Sequence, residues 1–368
     1  MQIERFSMTE RALTLCGLAP LALIGCVGAA SAERTASLPA PTYRVVAPVP
    51  PLPPRPPART FAPTPLVTAI DTMVENFGGK VGVAVKSIDD DWMISKNGDV
   101  PMPQQSVSKL WVAMTALDLV DQGKLRLDEQ LTITRADLTL FHQPIAGLLK
   151  NGSYTATAGE LMRRAMTMSD NTANDRLLRR VGGPDAVNAF IKRKSLGAIK
   201  FGPGERLLQS RTAGLNWKQD MAMGRAFQAA RAKLPQGVRR AAFNNYVADP
   251  IDGAAAAAIA NALARLKQGD LFSRASTAHL VTLMESSRTG AARLRAKVPP
   301  GWRLGHKTGT GQDFSGRTAG FNDVGFLTAP NGRSYTIAIL IGDTSRPVPE
   351  RQQLMQKVVE SVVANHRG

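Results

Sequence analysis

Ser106 and Lys109 stand one helical turn apart in Ser106-Val107-Ser108-Lys109. The stretch opens an apolar-periodic run, Leu110-Trp111-Val112-Ala113-Met114 through Leu117 and Leu119-Val120, that predicts a buried helix. Residues three apart share a helix face, so the Lys109 ammonium can reach the Ser106 hydroxyl. An alcohol becomes an effective nucleophile when a neighbouring base takes its proton, and a lysine acts as that base when burial or a nearby cation lowers its pKa. Lys307 is the candidate cation. Ser108 points elsewhere and reads as a helix-surface or packing residue. Taken alone, a Ser-x-x-Lys is also the pattern of an N-cap serine with a solvated lysine one turn on.

Two further blocks change that balance. Ser169-Asp170-Asn171 follows a helical pattern, Gly159-Glu160-Leu161-Met162-Arg163-Arg164-Ala165-Met166. A hydroxyl at Ser169 can pass a proton to a leaving nitrogen, and the Asn171 amide offers a donor and an acceptor to a substrate amide. Lys307-Thr308-Gly309-Thr310-Gly311 continues Trp302-Arg303-Leu304-Gly305-His306 as an exposed inner strand. Lys307 and Thr308 suit a carboxylate, and glycines such as Gly309 let a substrate backbone lie against the strand. The Thr310 N–H is a candidate oxyanion donor together with that of Ser106. Singly these blocks are an ordinary turn and a glycine-rich turn. Each of the three occurs once, in one order, and together they describe acyl transfer through a serine.

The elements that must position them follow from pattern. A helix is predicted over Leu66 to Phe77, then a hairpin of Lys80 to Ser87 and Trp92 to Ser95. A helical middle runs from about Ser106 to Thr289. Strands return at Arg303 to Thr308, Thr318 to Thr328 and Ser334 to Ile341, with Ala329-Pro330-Asn331-Gly332 as a hairpin turn, and a helix from Pro349 to Ala364 closes the chain. Strands at both ends with helices between predict an α/β (α+β) fold. One antiparallel sheet is assembled from the N- and C-terminal segments, an all-helical lobe stands beside it, and the active site lies between the two. The run Gly253-Ala254-Ala255-Ala256-Ala257-Ala258 predicts a helix start packed closely against a neighbour.

With these blocks in hand, the chain resembles a class A serine β-lactamase, one of the penicillin-recognising serine hydrolases, from about Leu66 to the C-terminus. Gly316-Arg317-Thr318-Ala319-Gly320-Phe321-Asn322-Asp323-Val324-Gly325, following the Lys-Thr-Gly strand after a longer turn, is similar to the extended-loop branch of that family, as is Pro103-Gln104-Gln105-Ser106-Val107-Ser108-Lys109. The resemblance implies that Asp137-Leu138-Thr139-Leu140-Phe141 is the loop whose aromatic residue, Phe141, walls the entrance. It also implies a carboxylate that activates the deacylating water, some three dozen residues after Ser169. Glu205 lies thirty-six residues on and is the only acidic residue between Asp185 and Asp220. The surroundings depart from the family: Gln209 stands where an asparagine usually helps hold the water, and no arginine precedes Glu205 at the usual place. Residues Asn216 to Ala248 are extra sequence with a predicted helix of their own, Lys218 to Ala232.

Composition bounds the setting. With 368 residues, 43% of them hydrophobic, the chain can bury a full core. Arg5 and Arg11 precede an apolar run from Ala12 to about Gly28, too short for a membrane span, so residues 1–32 read as an export signal. Ala30-Ser31-Ala32 offers a secretory cleavage site and Leu23-Ile24-Gly25-Cys26 a lipoprotein one, in which Cys26 would carry the only membrane anchor. Residues 33–64 read as a linker: from Pro39 to Pro65 eleven of twenty-seven residues are proline. Residues 65–368 form the enzyme domain.

Cys16 and Cys26 both lie in the signal, which leaves the domain without a disulfide or a cysteine metal site. His142, His279, His306 and His366 lack ligand spacing, so no metal and no cofactor is expected. A formal charge of +17 in an exported protein points to anionic lipid or cell-wall polymer rather than nucleic acid. The function expected is an exported, periplasmic, monomeric serine hydrolase that opens β-lactams. The alternatives are a D-alanyl-D-alanine carboxypeptidase sharing the acylation machinery, and a lactam or muropeptide sensor that acylates once.

Overall fold

The computed structural model describes residues 61–367, which fall in one compact unit, Arg55–Gly368. The export segment with Cys26, and most of the proline-rich stretch, lie outside the described residues. Helix α1, Thr64–Phe77, has proline in its first turn, buries Leu66, Ile70, Val74 and Phe77 along one stripe, and ends at Gly78, whose φ of 66° only glycine adopts freely. The hairpin β1 (Lys80–Ser87) and β2 (Met93–Lys96) follows, and then α2 (Lys109–Asp121), buried from Lys109 to Asp118.

Strands β3 (Gln130–Thr134) and β4 (Ser153–Thr157) pair with each other. Helices α3 (Ala158–Arg163), α4 (Asn171–Arg180), α5 (Gly183–Arg193), α6 (Glu205–Thr212), α7 (Ala226–Lys233), α8 (Gln236–Ala248), α9 (Ala256–Gln268) and α10 (Arg274–Glu285) come next. Strands β5 (Arg303–Thr310), β6 (Phe321–Thr328) and β7 (Ser334–Asp343) and helix α11 (Val348–Ala364) complete the chain.

The main sheet has the order β2–β1–β7–β6–β5, every pair antiparallel. The N-terminal hairpin therefore docks on a C-terminal strand, as the pattern predicts. Both faces are covered, and the strand alternation shows how. Val81, Val83 and Val85 of β1 and Ile337, Ile339 and Ile341 of β7 share a core with α1 and α11. Ala84, Ala338, Leu340 and Phe326 join the core that holds α2 and α9. Alanines Ala256, Ala260 and Ala264 are buried on α9, so the alanine run does bring a helix close to its neighbours, although that helix starts only at Ala256.

Three expectations are corrected. First, the Lys307 strand, β5, is not an inner strand: it is the sheet's edge and pairs only with β6. Second, the helical lobe is not all-helical, because β3 and β4 form a small sheet at its rim whose exposed positions alternate with buried ones. Third, the extra sequence holds two helices instead of one. Gly224 takes φ 63°, which delays the start of α7, and Pro235 at the N-cap of α8 separates that helix from α7.

Candidate active site

Ser106 sits in a single 3-10 turn, Gln105–Ser108, that runs straight into α2, which puts its side chain at the helix mouth. The Lys109 ammonium, fully buried one turn on, donates to Ser106 Oγ at 2.7 Å. It also pairs with the buried carboxylate of Glu205. The cation expected to act on Lys109 is thus accompanied by an anion in direct contact, which makes a continuous path from the Ser106 hydroxyl through Lys109 to Glu205. Gln105 holds φ 54°, a strained value for a non-glycine residue. It is fixed there by its backbone N–H, which donates to Asp252 Oδ2 at 2.8 Å, and by its buried amide.

Ser169 caps a short π-helical turn, Arg164–Met168, with φ 59°, and Lys307 Nζ donates to its Oγ at 3.0 Å. Asp170 is the N-cap of α4 and accepts from the Ala173 and Ile145 N–H groups at 3.0 and 2.7 Å. Its role is therefore to hold the loop from Leu138 to Leu148 against α4. Asn171 donates to the Leu140 carbonyl at 2.8 Å. Lys307 is fully buried; burial first, and then the charge of Lys109, hold its ammonium well below the usual lysine range.

The open edge of β5 faces the Ser106 turn. The Gly311 N–H bonds across to the Gly320 carbonyl at 2.7 Å, and N–H groups alternate along a strand, so that of Thr310 points to the open edge. Thr308 shares a hydrogen bond with the Thr289 hydroxyl at 2.8 Å. A side chain on Gly309 would come within 2.3 Å of the Gln104 carbonyl. Gly309 is what lets the strand and the backbone just before the Ser106 turn touch.

Arg293, which the sequence patterns did not single out, donates to the Gly309 and Asn322 carbonyls at 3.0 and 2.6 Å and to the Thr310 hydroxyl, with its guanidinium 3.8 Å from the Phe321 ring centre. It ties the end of β5 to β6 beside the cavity.

Glu205 is the first residue of α6. Its backbone N–H donates to Asp175 Oδ1 at 3.0 Å, so a carboxylate of α4 caps α6 after Gly204, which takes φ 91°. Burial, followed by the charge of Glu205, pushes the Asp175 carboxyl up to about 6. This contact ties the start of α6 to α4. Gln209, one turn on, donates to Glu205 Oε2 at 3.4 Å and to Gln105 Oε1 at 2.9 Å; Gln105 donates to the Tyr246 hydroxyl at 2.7 Å, which donates to Asp252 Oδ1 at 2.9 Å. The extra sequence, through Tyr246 of α8, is thereby wired to the carboxylate beside Lys109.

Ser106, Ser169, Asn171, Thr308 and Thr310 open on one cavity of about 420 Å³. Phe141, 46% exposed and at φ 59°, stands in its wall, edge-on to Phe227 of α7 at 5.2 Å between ring centres. Arg231 of α7, Arg293, Gln209, Gln312, Met168 and His142 are also in the lining. Among the described residues no group of three or more histidine, cysteine or acidic side chains is placed to hold a metal ion.

Residues 65–365 match the family described as the beta-lactamase enzyme family. The chain is similar to extended-spectrum beta-lactamase PER-1 of Pseudomonas aeruginosa, 28% identical over 304 residues that cover 82% of this chain and 88% of that protein. Beta-lactamase VEB-1 of the same organism is 25% identical over 300 residues, covering 81% and 87%. An ancestral class A beta-lactamase structure matches with TM-score 0.64 at 28% identity, over 81% of this chain and all but 1% of that one, its coverage being 99%. The TLA-1 extended-spectrum beta-lactamase shares the fold, with TM-score 0.67 at 24% identity over 82% of this chain and 97% of that chain. Three short blocks, one antiparallel sheet and a lobe beside it thus lead to one conclusion: the chain belongs to the beta-lactamase enzyme family.

Proposed function

We propose that this protein hydrolyses the amide of β-lactams through an acyl-enzyme on Ser106. The observation that carries the proposal is the 2.7 Å contact between Ser106 Oγ and the buried Lys109 Nζ, in a cavity bordered by the open edge of β5. In this reading the amine form of Lys109 takes the Ser106 proton as Oγ attacks the lactam carbonyl, and Glu205 stays ionised. The oxyanion is met by the N–H groups of Ser106 and Thr310. Ser169 passes a proton to the leaving nitrogen, drawing on Lys307. Lys307 and Thr308 bind the substrate carboxylate, Asn171 the side-chain amide, and Phe141 walls the entrance. Glu205 then activates the water that releases the acyl group.

Continuous turnover of a chromogenic cephalosporin by the purified protein, over many equivalents per enzyme, is the expected result. A single equivalent released as a burst would instead indicate a cell-wall peptidase or a sensor. The proposed place of work is the periplasm, on the strength of residues 1–32, with anchoring through Cys26 as one form of it.

Lys307 yields a sharper expectation. A hydrogen bond to a charged group contributes about 1.5–3 kcal/mol, so Lys307→Ala should lower kcat/KM by about ten- to a hundred-fold. Its ammonium loses its proton at lower pH than an ordinary lysine. Since the charged form binds the substrate carboxylate, kcat/KM should fall as pH rises through that lowered value. Bound substrate favours the charged form, so kcat should fall only at higher pH. The pH profile of KM in the alanine variant checks this: its alkaline rise should be gone.

A further inference from the structure

The proposed carboxylate anchor, Lys307 and Thr308, and the far end of the cavity are separated along β5 and the turn after it. From Thr308 to Asp313 the chain can extend on the order of 16 Å, at roughly 3.3 Å per residue. That reach exceeds a fused lactam nucleus, which makes the Asp313 end the side on which the acyl group of the substrate would lie.

At that end stands Arg231, carried over the site by α7 of the extra sequence and held there by Phe227 against Phe141. Its guanidinium donates to the Asp313 carbonyl, while the Asp313 carboxylate is engaged by the Thr318 hydroxyl. Among the described residues no carboxylate lies within ion-pair distance of Arg231. A guanidinium has five N–H donors. Arg293, the other arginine in the lining, uses three of its donors on two carbonyls and the Thr310 hydroxyl, whereas Arg231 uses one, on the Asp313 carbonyl, among the described residues.

The surroundings favour an anion. Residues 221–248 carry Arg225, Arg231, Lys233, Arg239 and Arg240 and no Asp or Glu. Partial burial, and after it the charge of Arg239, hold the Arg231 guanidinium below its usual range, with the charge of Asp313 offsetting part of this; a bound anion would relieve the remainder.

We infer that Arg231 is a specificity-determining residue that binds an anionic group on the acyl side chain, making β-lactams with a second carboxylate the favoured substrate class. The inference rests on the hydrolase reading above. The test compares benzylpenicillin with α-carboxybenzylpenicillin, which differ by that carboxylate, in the full chain and in Arg231→Gln and Arg231→Lys. The ratio of kcat/KM, carboxylated over plain, should fall about ten-fold in Arg231→Gln, the effect of losing one charge-assisted hydrogen bond, and be largely kept in Arg231→Lys. With the parent hydrolysing both penicillins, a ratio unmoved in Arg231→Gln, or lost equally in Arg231→Lys, would overturn the inference alone. A parent that turns over neither would overturn the hydrolase reading and this inference with it.

Discussion

Ser106→Ala should abolish turnover, lowering kcat by roughly 10⁶-fold, the size of loss seen when a serine hydrolase loses its nucleophile. Ser106 is the only serine with a lysine one helical turn on, and that lysine's ammonium lies 2.7 Å from its oxygen. Ser169 also has a lysine at 3.0 Å, Lys307, but that lysine is shared with the Thr308 carbonyl and is assigned to the substrate carboxylate. The substitution should spare the fold, because Lys109 keeps its carboxylate partner, Glu205, so no buried charge is left alone. Intact-mass measurement after brief exposure to penicillin should find one acyl adduct on the parent and none on the variant. An adduct that survives in Ser106→Ala would assign the nucleophile elsewhere.

The parts of this site that are legible in the sequence are those whose geometry is local. Three residues on a helix fix the reach from Lys109 to Ser106, and strand periodicity fixes β6 and β7 to within a few residues. Arg293 was not legible because it lies in irregular chain between α10 and β5 and meets Gly309, Asn322 and Thr310 only after the sheet has formed. The Gln209–Gln105–Tyr246–Asp252 chain was hidden for the same reason: Gln105 and Tyr246 are 141 residues apart in sequence. Neutral amides carry no periodic or charge signal. The hairpin of β3 and β4 was lost among helices because its strands are rich in exposed threonine and are joined by a long loop in place of a tight turn. The edge position of β5 could not be read from its own residues, because helix α10 and the Ser106 turn bury it as fully as an interior strand.

Glu205→Gln should separate the two halves of the reaction. Glu205 is held from three sides: its backbone N–H by Asp175, its Oε1 by Lys109 and its Oε2 by Gln209. A carboxylate fixed this way, one lysine removed from the nucleophile, is placed to take a proton from a water attacking the acyl-enzyme. General-base catalysis contributes typically 10²- to 10⁴-fold, so deacylation should slow by about that factor. Acylation should persist. Glutamine still accepts the Lys109 hydrogen bond, so Lys109 stays beside Ser106 Oγ and serves it as before. The variant should therefore react with a chromogenic cephalosporin in a burst of one equivalent per enzyme, followed by a slow steady state, with the adduct visible by mass for as long as it survives. Steady-state turnover at the parental rate would show that the water is activated by another group. A parent that itself stalls after one equivalent would show that the Glu205 carboxylate activates no water, leaving a peptidase or sensor with the acylation half of the machinery alone.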